Sequence, residues 1–414
     1  MRKYSINIGL DFGTTYSKVS FGERRIVNPV LFGIGKNETT KTTEVFYDPE
    51  DNILHYEKLK NKPNMEIIKY FKYSFIDKSL PTSKHLSKIS LQTAPEILCC
   101  VFFLACLIGK TKNYIKEYYK AKNIDIIPEW NINMGVPIDN FESDHKSLYD
   151  KILHASVKLS NNLQGDKANI KVGIYALDRF VSKEFSLNIP KHGESPYNTL
   201  SELYALCLPF LQDRNVPNGI YAIVDIGGAT VDIAVFLKES QESFSIVAKD
   251  IQPLGVEMLI NKGIIKQDNL NENFFIEELR VMFAKLAMEV KGKKEAKEAL
   301  KNQKGVLKII ICGGGAIYKC FEYSVLENRS YIRNTLDISY KLETISIEKL
   351  LELSEIKNHR LLISKGLAQR IEDIPILIGF PWHFQKIEIQ PIEKSQEKRW
   401  ELEDIQREKY GEVL

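Results

Sequence analysis

The stretch NIGLDFGTTYSKVSF, residues 7–21, combines an alternating apolar run, a lone aspartate, a small-residue turn and a lysine. Apolar residues at every second position are typical of a half-buried strand. A Gly-Thr-Thr turn at residues 13–15 interrupts this run, and a second apolar run follows from Tyr16 to Phe21. The stretch therefore predicts a β-hairpin with Asp11 just before its tip.

The predicted tip carries groups that suit a phosphate. Its glycine leaves backbone N–H groups accessible, and its two threonines add hydroxyls. Asp11 would repel a bare phosphate, so it makes sense in such a site mainly with a cation between the two. Taken alone, the hairpin leaves open whether it binds phosphate or only reverses the direction of the chain.

A second stretch, IYAIVDIGGATVDIAVF at residues 220–236, repeats the same device. An apolar strand leads into Asp225, a small-residue tip with a threonine follows, and a second apolar strand resumes at Val231. Asp225 follows Asp11 by about half the length of the 414-residue chain. A repeat at this spacing predicts two similar halves that each present a hairpin.

A third stretch, KIIICGGGAIYKCF at residues 308–321, takes an apolar strand through three glycines into a helix. Glycine lets the backbone approach a ligand closely, and the start of a helix favours anionic groups. A glycine triplet alone also fits an ordinary turn, so this stretch gains its meaning from the two hairpins.

Together the three stretches resemble the nucleotide-binding fold shared by actin, sugar kinases and the 70-kDa heat-shock chaperones. Residues 11–17 (DFGTTYS) look most like the chaperones' first phosphate motif. Residues 225–232 (DIGGATVD) look like their second phosphate motif, with Ala229 where a glycine is usual. Residues 313–315 are similar to the adenosine motif.

Weaker similarities extend the resemblance over about residues 4–370. Residues 63–75 resemble the segment that brings a catalytic lysine, here best matched by Lys72. Glu202 stands where the family has a glutamate before a small-residue helix. Residues 253–257 (PLGVE) and 365–368 (KGLA) are similar to the family's Leu-Gly-Gly-Glu segment and to the Gly-Ala-Ala of its last helix.

The resemblance implies an α/β protein with the actin-like ATPase fold, in which two duplicated ribonuclease-H-like lobes surround a central nucleotide cleft. We expect residues 1–215 to form the first lobe, with the first phosphate hairpin and an inserted β-rich subdomain. Residues 216–384 are expected to form the second lobe, with the second phosphate hairpin and the adenosine motif. Residues 385–414 are expected to form a charged C-terminal tail, and no peptide-binding lobe of the chaperone type is expected.

The activity implied by the resemblance is ATP hydrolysis to ADP and phosphate with Mg²⁺. Asp11 and Asp225 would be the metal ligands, since Mg²⁺ is typically held by one or two carboxylates and by phosphate oxygens. The implied catalytic residues are Asp225, Glu202 for the attacking water, and Lys72 for charge on the transferring phosphoryl group. The implied nucleotide-binding residues are Gly13, Thr14, Thr15, Tyr16, Lys18, Gly227, Gly228, Thr230, Gly313, Gly314 and Gly315.

Three of these side chains also have simpler interpretations. Lys18 and Lys72 could be solvated surface lysines, and Glu202 could be a first-turn acid favoured by the helix dipole. Lys18 further separates the relatives, because actins and several kinases have a lysine at this place whereas the chaperones do not.

Four functions remain open from these residues. The leading one is a chaperone-like switch that responds to ATP hydrolysis and acts on an unidentified protein partner. The alternatives are an actin-like filament protein that self-associates, a small-molecule kinase of the same fold, and a nucleotide-bound scaffold that does not hydrolyse.

Composition favours an ordinary cytoplasmic protein. A net charge of +3 is too small to favour nucleic acid or an anionic membrane as a partner. The six cysteines form no Cys-x-x-Cys pair, so neither a zinc site nor a disulfide framework is expected. The apolar run at residues 97–108 follows a capping-box pattern at Thr93–Glu96, which predicts a buried core helix over residues 93–121.

The remaining periodicity predicts further elements. Helices are expected at residues 64–76, 141–164 and 199–212, and a charged helical stretch at 274–302. Strands are expected at residues 130–136 and 306–311.

Overall fold

The computed structural model describes residues 2–23, 26–33, 38–75, 83–137, 145–163, 170–190, 194–213, 216–240, 243–266, 272–336, 338–342, 359–369 and 376–378. The tail expected at residues 385–414 lies outside the described residues. The described chain is a mixed α/β structure.

Helices and strands alternate along the second part of each half of the chain. The α-helices are α1 (Pro95–Ala121), α2 (His145–Asn162), α3 (Ile174–Phe185), α4 (Glu202–Gln212), α5 (Val256–Asn261), α6 (Glu272–Gly292), α7 (Lys294–Asn302), α8 (Lys319–Leu336) and α9 (Leu362–Leu367). The strands are β1 (Arg2–Asp11), β2 (Tyr16–Glu23), β3 (Ile26–Pro29), β4 (Lys41–Thr42), β5 (Glu44–Asp48), β6 (Ile53–His55), β7 (Glu66–Lys69), β8 (Ile126–Val136), β9 (Lys171–Gly173), β10 (Tyr197–Ser201), β11 (Gly219–Ile226), β12 (Val231–Lys238), β13 (Ser243–Gln252), β14 (Val306–Cys312), β15 (Ser339–Leu342) and β16 (Ile376–Ile378). Short 3₁₀ helices lie at Tyr73–Phe75, Leu86–Lys88 and Gly314–Ile317.

Two large sheets share one strand order. The first runs β10-β8-β1-β2-β3, and the second runs β15-β14-β11-β12-β13 and continues to β16. In the first sheet β1 pairs antiparallel with β2 and parallel with β8. In the second sheet β11 pairs antiparallel with β12 and parallel with β14. The outer strands match as well. Strand β3 pairs antiparallel with β2 as β13 does with β12, and β10 pairs parallel with β8 as β15 does with β14. The two sheets therefore have the same order and the same directions of strands over five strands.

A smaller antiparallel sheet, β7-β5-β6-β9, lies within the first half of the chain. Its strand β7 occupies residues for which the sequence predicted a helix, 64–76, and that prediction is wrong. The apolar residues there have helical spacing, but β7 pairs with β5 along four residue pairs, from Glu44 with Lys69 to Tyr47 with Glu66. Sheet pairing with a distant strand overrides the local pattern.

Helix α1 is the core helix of the first half. Its residues from Leu98 to Ile108 are fully buried and join one apolar cluster with β1, β8 and α2. By length and composition it is the one helix in the described ranges that could cross a membrane, and 72% of its apolar window is buried inside the fold.

The predicted capping box of α1 does not form. Ala94 is the N-cap, and no side chain caps the helix there. The backbone N–H groups of Gln92 and Thr93 instead donate to the Asp178 carboxylate at 2.8 Å each. The Asp178 carboxylate of α3 thus binds the Thr93 N–H, which the Glu96 side chain would bind in a capping box.

The helical stretch predicted at residues 274–302 is divided in two. Helix α6 ends at Gly292, and Lys293 has extended backbone angles (φ −99°, ψ 125°) before α7 begins. Both helices pack into the second apolar cluster with β11 and β12.

Two helices, α4 and α9, join the halves because each packs on the sheet of the other half. Helix α4 follows β10 of the first sheet, yet its apolar residues pack with the second sheet, including Tyr221 and Phe236. Helix α9 lies between β15 and β16 of the second sheet in sequence, yet its Ser364 hydroxyl bonds that of Ser20 in β2 at 2.9 Å. The amide of Asn133 in β8 donates to the Leu367 carbonyl at 2.8 Å.

The two helices cross at a point that admits only glycine. A Cβ atom on Gly366 would lie 1.9 Å from the backbone oxygen of Ala205. Gly9 in β1 is equally constrained, since a Cβ there would lie 2.2 Å from the Ser364 carbonyl oxygen. These contacts place α9 directly between the first sheet and α4.

Lys238 at the end of β12 fixes the other end of α4. Its buried ammonium group donates to the carbonyls of Phe210, Asp213 and Val216 at 3.1, 2.9 and 2.8 Å. A cation at this end also complements the helix dipole.

Gly366→Ala is expected to destabilise the protein by about 3 kcal/mol or more, because overpacking against rigid backbone forces the helices apart. Chemical denaturation measures the effect. Gly292→Ala is the matched control, since a Cβ there meets no atom within 4 Å, and it should leave stability equal or slightly higher. Wild-type stability of Gly366→Ala would show that the crossing is looser than described.

Candidate functional site

The first hairpin joins β1 and β2 through the tip at residues 12–15. Asp11 pairs across the hairpin with Lys18. The Lys18 ammonium group donates to the Asp11 carboxylate at 2.8 Å, and the two side chains are only 14% and 4% exposed. Lys18 is therefore a buried partner of Asp11, and the interpretation as a surface lysine is wrong.

The second hairpin joins β11 and β12 through the tip at residues 227–230. The Gly227 N–H donates to the Thr230 carbonyl at 2.9 Å and closes the tip. Asp225 pairs across the hairpin with Asp232, seven residues further along, just as Asp11 pairs with Lys18. The two hairpins thus share a register but differ in the residue that faces the aspartate.

The two tips touch each other. A Cβ atom on Gly228 would lie 2.3 Å from the Thr15 hydroxyl oxygen, so the second tip needs glycine where it meets the first. Between and beside the tips lies a cavity of about 590 Å³. This volume is in the range of sites for small molecules.

The structure brings nearly all the predicted site residues together around this cavity. Asp11, Gly13, Thr14, Thr15, Tyr16, Lys18, Lys72, Glu202, Asp225, Gly227, Gly228, Thr230, Gly314 and Gly315 line it. Gly313 packs behind it instead: its φ is +87°, and a Cβ there would lie 2.1 Å from an Asp225 carboxylate oxygen.

Lys72 and Glu202 form a second buried ion pair in the cavity. The Lys72 ammonium group donates to the Glu202 carboxylate at 2.7 Å and also to the Phe12 carbonyl. Lys72 is 4% exposed, so the interpretation as a solvated lysine is wrong for it as well. Gly135 leaves room for Glu202, since a Cβ there would lie 2.7 Å from its side chain.

Glu202 is also the first residue of α4, as its simpler interpretation required. The hydroxyl of Ser201 caps this helix by accepting a hydrogen bond from the Tyr204 N–H at 3.3 Å. Glu202 therefore lies at the positive end of a helix dipole while its carboxylate meets Lys72 in the cavity.

Burial dominates the electrostatics of the site. It raises the pKa of Asp225 to about 7, with Lys18 opposing the shift and Asp11 and Glu202 adding to it. Burial likewise raises the pKa of Asp232 well above its usual range, and Asp225 adds to this. Burial raises the pKa of Glu202 as well, although Lys72 opposes it.

Lys18 shifts in the direction that keeps it charged. Burial opposes its charge, but the attraction and hydrogen bond of Asp11, with Asp225 and Glu202, outweigh burial and raise the pKa of Lys18. The cavity wall thus holds four carboxylates and two lysines in its buried cluster. If all six were ionised, two negative charges would remain in excess.

Three charged residues that line the cavity were not among the predicted site residues. Asp232 stands inside the second motif, and one of its carboxylate oxygens is buried without a hydrogen-bond partner in the described structure. Glu257 lies in the first turn of α5, where burial raises its pKa. Arg360 lines the same wall as Gly314, and its Nε is buried without a partner among the described residues.

Signals for these residues differ in kind. The alternation of β12 puts Asp232 directly across from Asp225, so the hairpin register could have identified it. Nothing local to Arg360 in the sequence indicates that it reaches the cavity, because the chain returns there from a distant segment.

Ala229, the departure from the chaperone motif, fits its surroundings. It is 5% exposed and packs with Tyr73 and Met258. The N–H of Gly255 donates to the Ala229 carbonyl at 3.0 Å. A Cβ atom on Gly255 would lie 2.1 Å from the Ala229 backbone, so the close approach of the two segments requires glycine at position 255.

The chain matches no protein-family model and no curated protein. In the described ranges no group of three or more His, Cys, Asp or Glu residues is arranged to hold a metal by itself. The resemblance therefore rests on the two hairpins and the glycine triplet.

Asp225→Asn is expected to stabilise the protein at pH 8 by several degrees in thermal unfolding and to change little at pH 4. The pKa of Asp225 lies near 7 in the fold and near 3.8 otherwise. The folded state therefore binds the extra proton between these values, and stability falls as the pH rises from about 4 to about 7.

The exposed residue Glu298 provides the control, and Glu298→Gln should keep the wild-type dependence on pH. These scans need no ligand. An Asp225→Asn protein that is no more stable than wild type at pH 8 would contradict the assigned burial.

Proposed function

We propose that this protein binds ATP with Mg²⁺ in the cavity between the two hairpins and hydrolyses it, on an actin-like ATPase fold. One observation carries the proposal: two hairpins of matching register face each other across one cavity and bury an excess of carboxylates there. A single hairpin would give a turn, whereas two facing hairpins enclose a ligand from both sides.

The topology supports the fold in this proposal. The two large sheets have the same strand order, and each half contributes a helix to the sheet of the other. Such an arrangement agrees with a duplicated two-lobe architecture with a central cleft. The glycine at the crossing, Gly366, belongs to the segment that resembles the family's last helix.

The charges of the site fit a divalent cation. With all six groups of the buried cluster ionised, its two excess negative charges would be neutralised by one Mg²⁺, and carboxylate oxygen is the ligand type that Mg²⁺ takes. Asp11 and Asp225 would hold the ion. Asp232 pairs with Asp225 across the second hairpin, and one of its carboxylate oxygens is buried without a partner in the described structure. When bound, Mg²⁺ would offset charge on the phosphates.

The tips suit the phosphates because their carbonyl groups are turned to protein donors. The Thr43 hydroxyl donates to the Gly13 carbonyl at 2.8 Å, and the Thr43 N–H donates to the Thr15 carbonyl at 2.8 Å. The Gly228 carbonyl accepts from the Met258 N–H at 3.0 Å. Carbonyls that would repel phosphate are thus occupied, and threonine hydroxyls and tip amides would bind it.

Glu202 and Lys72 are the proposed hydrolytic pair. A carboxylate with a raised pKa is suited to accept a proton from the attacking water near neutral pH. Lys72 orients Glu202 through their hydrogen bond and supplies positive charge near the first tip. Lys18, which lies on the first hairpin and pairs with Asp11, would contribute its positive charge to phosphate binding.

Beyond hydrolysis, we assign to the protein the role of a nucleotide-dependent switch of the chaperone type. Closure of the two tips on ATP and relaxation after hydrolysis would alter a surface recognised by a protein partner. The filament, kinase and scaffold functions use the same cavity and are distinguished by experiment.

Asp225→Asn is expected to reduce ATP turnover by at least about tenfold while the fold survives, because it removes one metal-binding carboxylate from a turn edge. A charge-assisted contact is worth about 1.5–3 kcal/mol, which corresponds to about ten- to a hundredfold. Phosphate release with Mg-ATP measures turnover, and isothermal titration measures nucleotide affinity. Asp11→Asn should act alike but also lose stability, since Lys18 loses its partner.

The same assay separates the alternatives. Turnover that requires an added sugar or carboxylate would indicate the kinase, and nucleotide-dependent pelleting would indicate the filament. Binding without turnover would indicate the scaffold. Wild-type turnover in Asp225→Asn would overturn the metal assignment, and the thermal scans of this variant report separately on its fold.

Lys72→Ala and Lys18→Ala are expected to differ in kind. Lys72→Ala should lower single-turnover hydrolysis by about ten- to a hundredfold, because Glu202 loses the cation that orients it. Lys18→Ala should mainly weaken nucleotide binding, because Lys18 lies on the hairpin that holds the phosphates. Lys88→Ala, at an exposed site, is the control. If Lys18→Ala changes neither quantity, the actin-like role of this lysine is wrong.

A further inference from the structure

A second cavity, of about 740 Å³, lies in the first half of the chain. Helix α1 forms one wall, and the segments around β4, Tyr56 and Trp130 complete it. Its volume, like that of the cleft, is within the range of ligand sites. We call it the basic cavity, because lysines dominate its half-buried polar lining.

The half-buried charges of the basic cavity are unbalanced. They comprise Lys41, Lys110, Lys112 and Glu57. Lys110 forms an ion pair with Glu57, so the one half-buried carboxylate among the described lining residues is already engaged. The exposed rim adds one lysine and two glutamates, which are Lys116, Glu38 and Glu117.

Lys112 is held by neutral groups. Its ammonium group donates to the side-chain oxygen of Asn161 at 2.9 Å and lies 3.5 Å from the Ser160 hydroxyl. Burial, with the charge of Lys116 adding to it, lowers the pKa of Lys112 to about 8. Burial of the charged Lys112 side chain thus costs free energy, and a bound anion would offset this cost.

Lys41 is in a similar position. Its ammonium group lies 4.9 Å from the centre of the Tyr56 ring, and Lys110 lies at the same distance from that ring. Burial lowers the pKa of Lys41, although Glu57 opposes the shift. The Tyr56 hydroxyl is buried and has no hydrogen-bond partner in the described ranges.

Part of the remaining lining is apolar. Val30, Ala105, Cys106, Trp130, Leu163 and Ile170 contribute to it. A ligand for this cavity therefore needs an apolar body as well as an anionic group, since an inorganic anion would leave this surface in contact with water.

We propose that the basic cavity binds a small amphiphilic anion, whose phosphate or carboxylate group is attracted by the charges of Lys41 and Lys112 and whose apolar body packs against α1 and Trp130. This site is separate from the nucleotide cleft and uses neither hairpin. Lysine suits either head group because its ammonium acts as a point charge with three donors.

The test uses Trp130 as the reporter. The chain has three tryptophans, so Trp382→Phe and Trp400→Phe leave Trp130 alone. This protein is titrated with octyl phosphate, octanoate and 1-octanol below their aggregation concentrations, and Trp130 emission is followed. At least one anion should give a saturable change, with 1-octanol binding at least tenfold more weakly. The stronger anion identifies the head group.

Variants then test the lysines. Lys41→Met with Lys112→Met should weaken anion binding at least tenfold, whereas Lys41→Arg with Lys112→Arg should retain it, because charge is kept. Lys120→Met, at an exposed site on the same helix, should bind as wild type does. Circular dichroism checks that each variant is folded.

Three results would overturn the proposal. They are no saturable change with either anion, equal binding of 1-octanol, or full binding by the folded double methionine variant. If the methionine variant does not fold, the arginine and Lys120 variants still decide, since loss of binding in the arginine variant or in Lys120→Met contradicts the assignment of the head-group contact.

Discussion

Helices α4 and α9 cross so closely at Gly366 that a Cβ atom there would collide with the backbone of Ala205. Each of these helices packs on the sheet of the other half, so their contact fixes how the two sheets lie relative to one another. Because each sheet carries one hairpin, the crossing also sets the distance between the two tips. A Cβ atom on Gly366 would lie 1.9 Å from the Ala205 backbone oxygen, so any residue other than glycine would force the two helices apart and change this geometry.

The cost of that geometry appears in the cavity. Bringing the tips together buries Asp11, Glu202, Asp225 and Asp232 near one another, and burial raises the pKa of three of them. Two lysines compensate only part of the charge. A fold selected for stability alone would replace such groups with apolar ones, so the surviving excess of carboxylates supports the binding site proposed here.

The site could be predicted from sequence where its information is local. Alternation followed by an aspartate and small residues specifies a hairpin within about fifteen residues, and both hairpins were identified this way. Lys72 and Glu202 were matched by resemblance, but their mutual ion pair, with 130 residues between them, depends on tertiary packing. Arg360 could not be found, because nothing near it in the chain indicates its surroundings.

The elements predicted wrongly fail for the same physical reason. The apolar residues in 64–76 have helical spacing, yet part of this segment pairs with the edge of β5 and forms strand β7. Thr93 and Glu96 have the pattern of a capping box, yet Asp178 of another helix satisfies the backbone donors. In both places a distant partner outcompetes a local preference, and sequence patterns report only the local one.

The two cavities share a wall, which links their chemistry. Thr40 lines both of them. Next to it, Lys41 pairs in β4 with Ser17 of the first hairpin, while its side chain lines the basic cavity. Two residues further on, Thr43 holds the first tip through the carbonyls of Gly13 and Thr15. The backbone that positions Lys41 and the backbone that positions the tip are therefore one hydrogen-bonded unit, so displacement of either end strains the other. Any free energy that couples ligands in the two cavities must act equally in both directions.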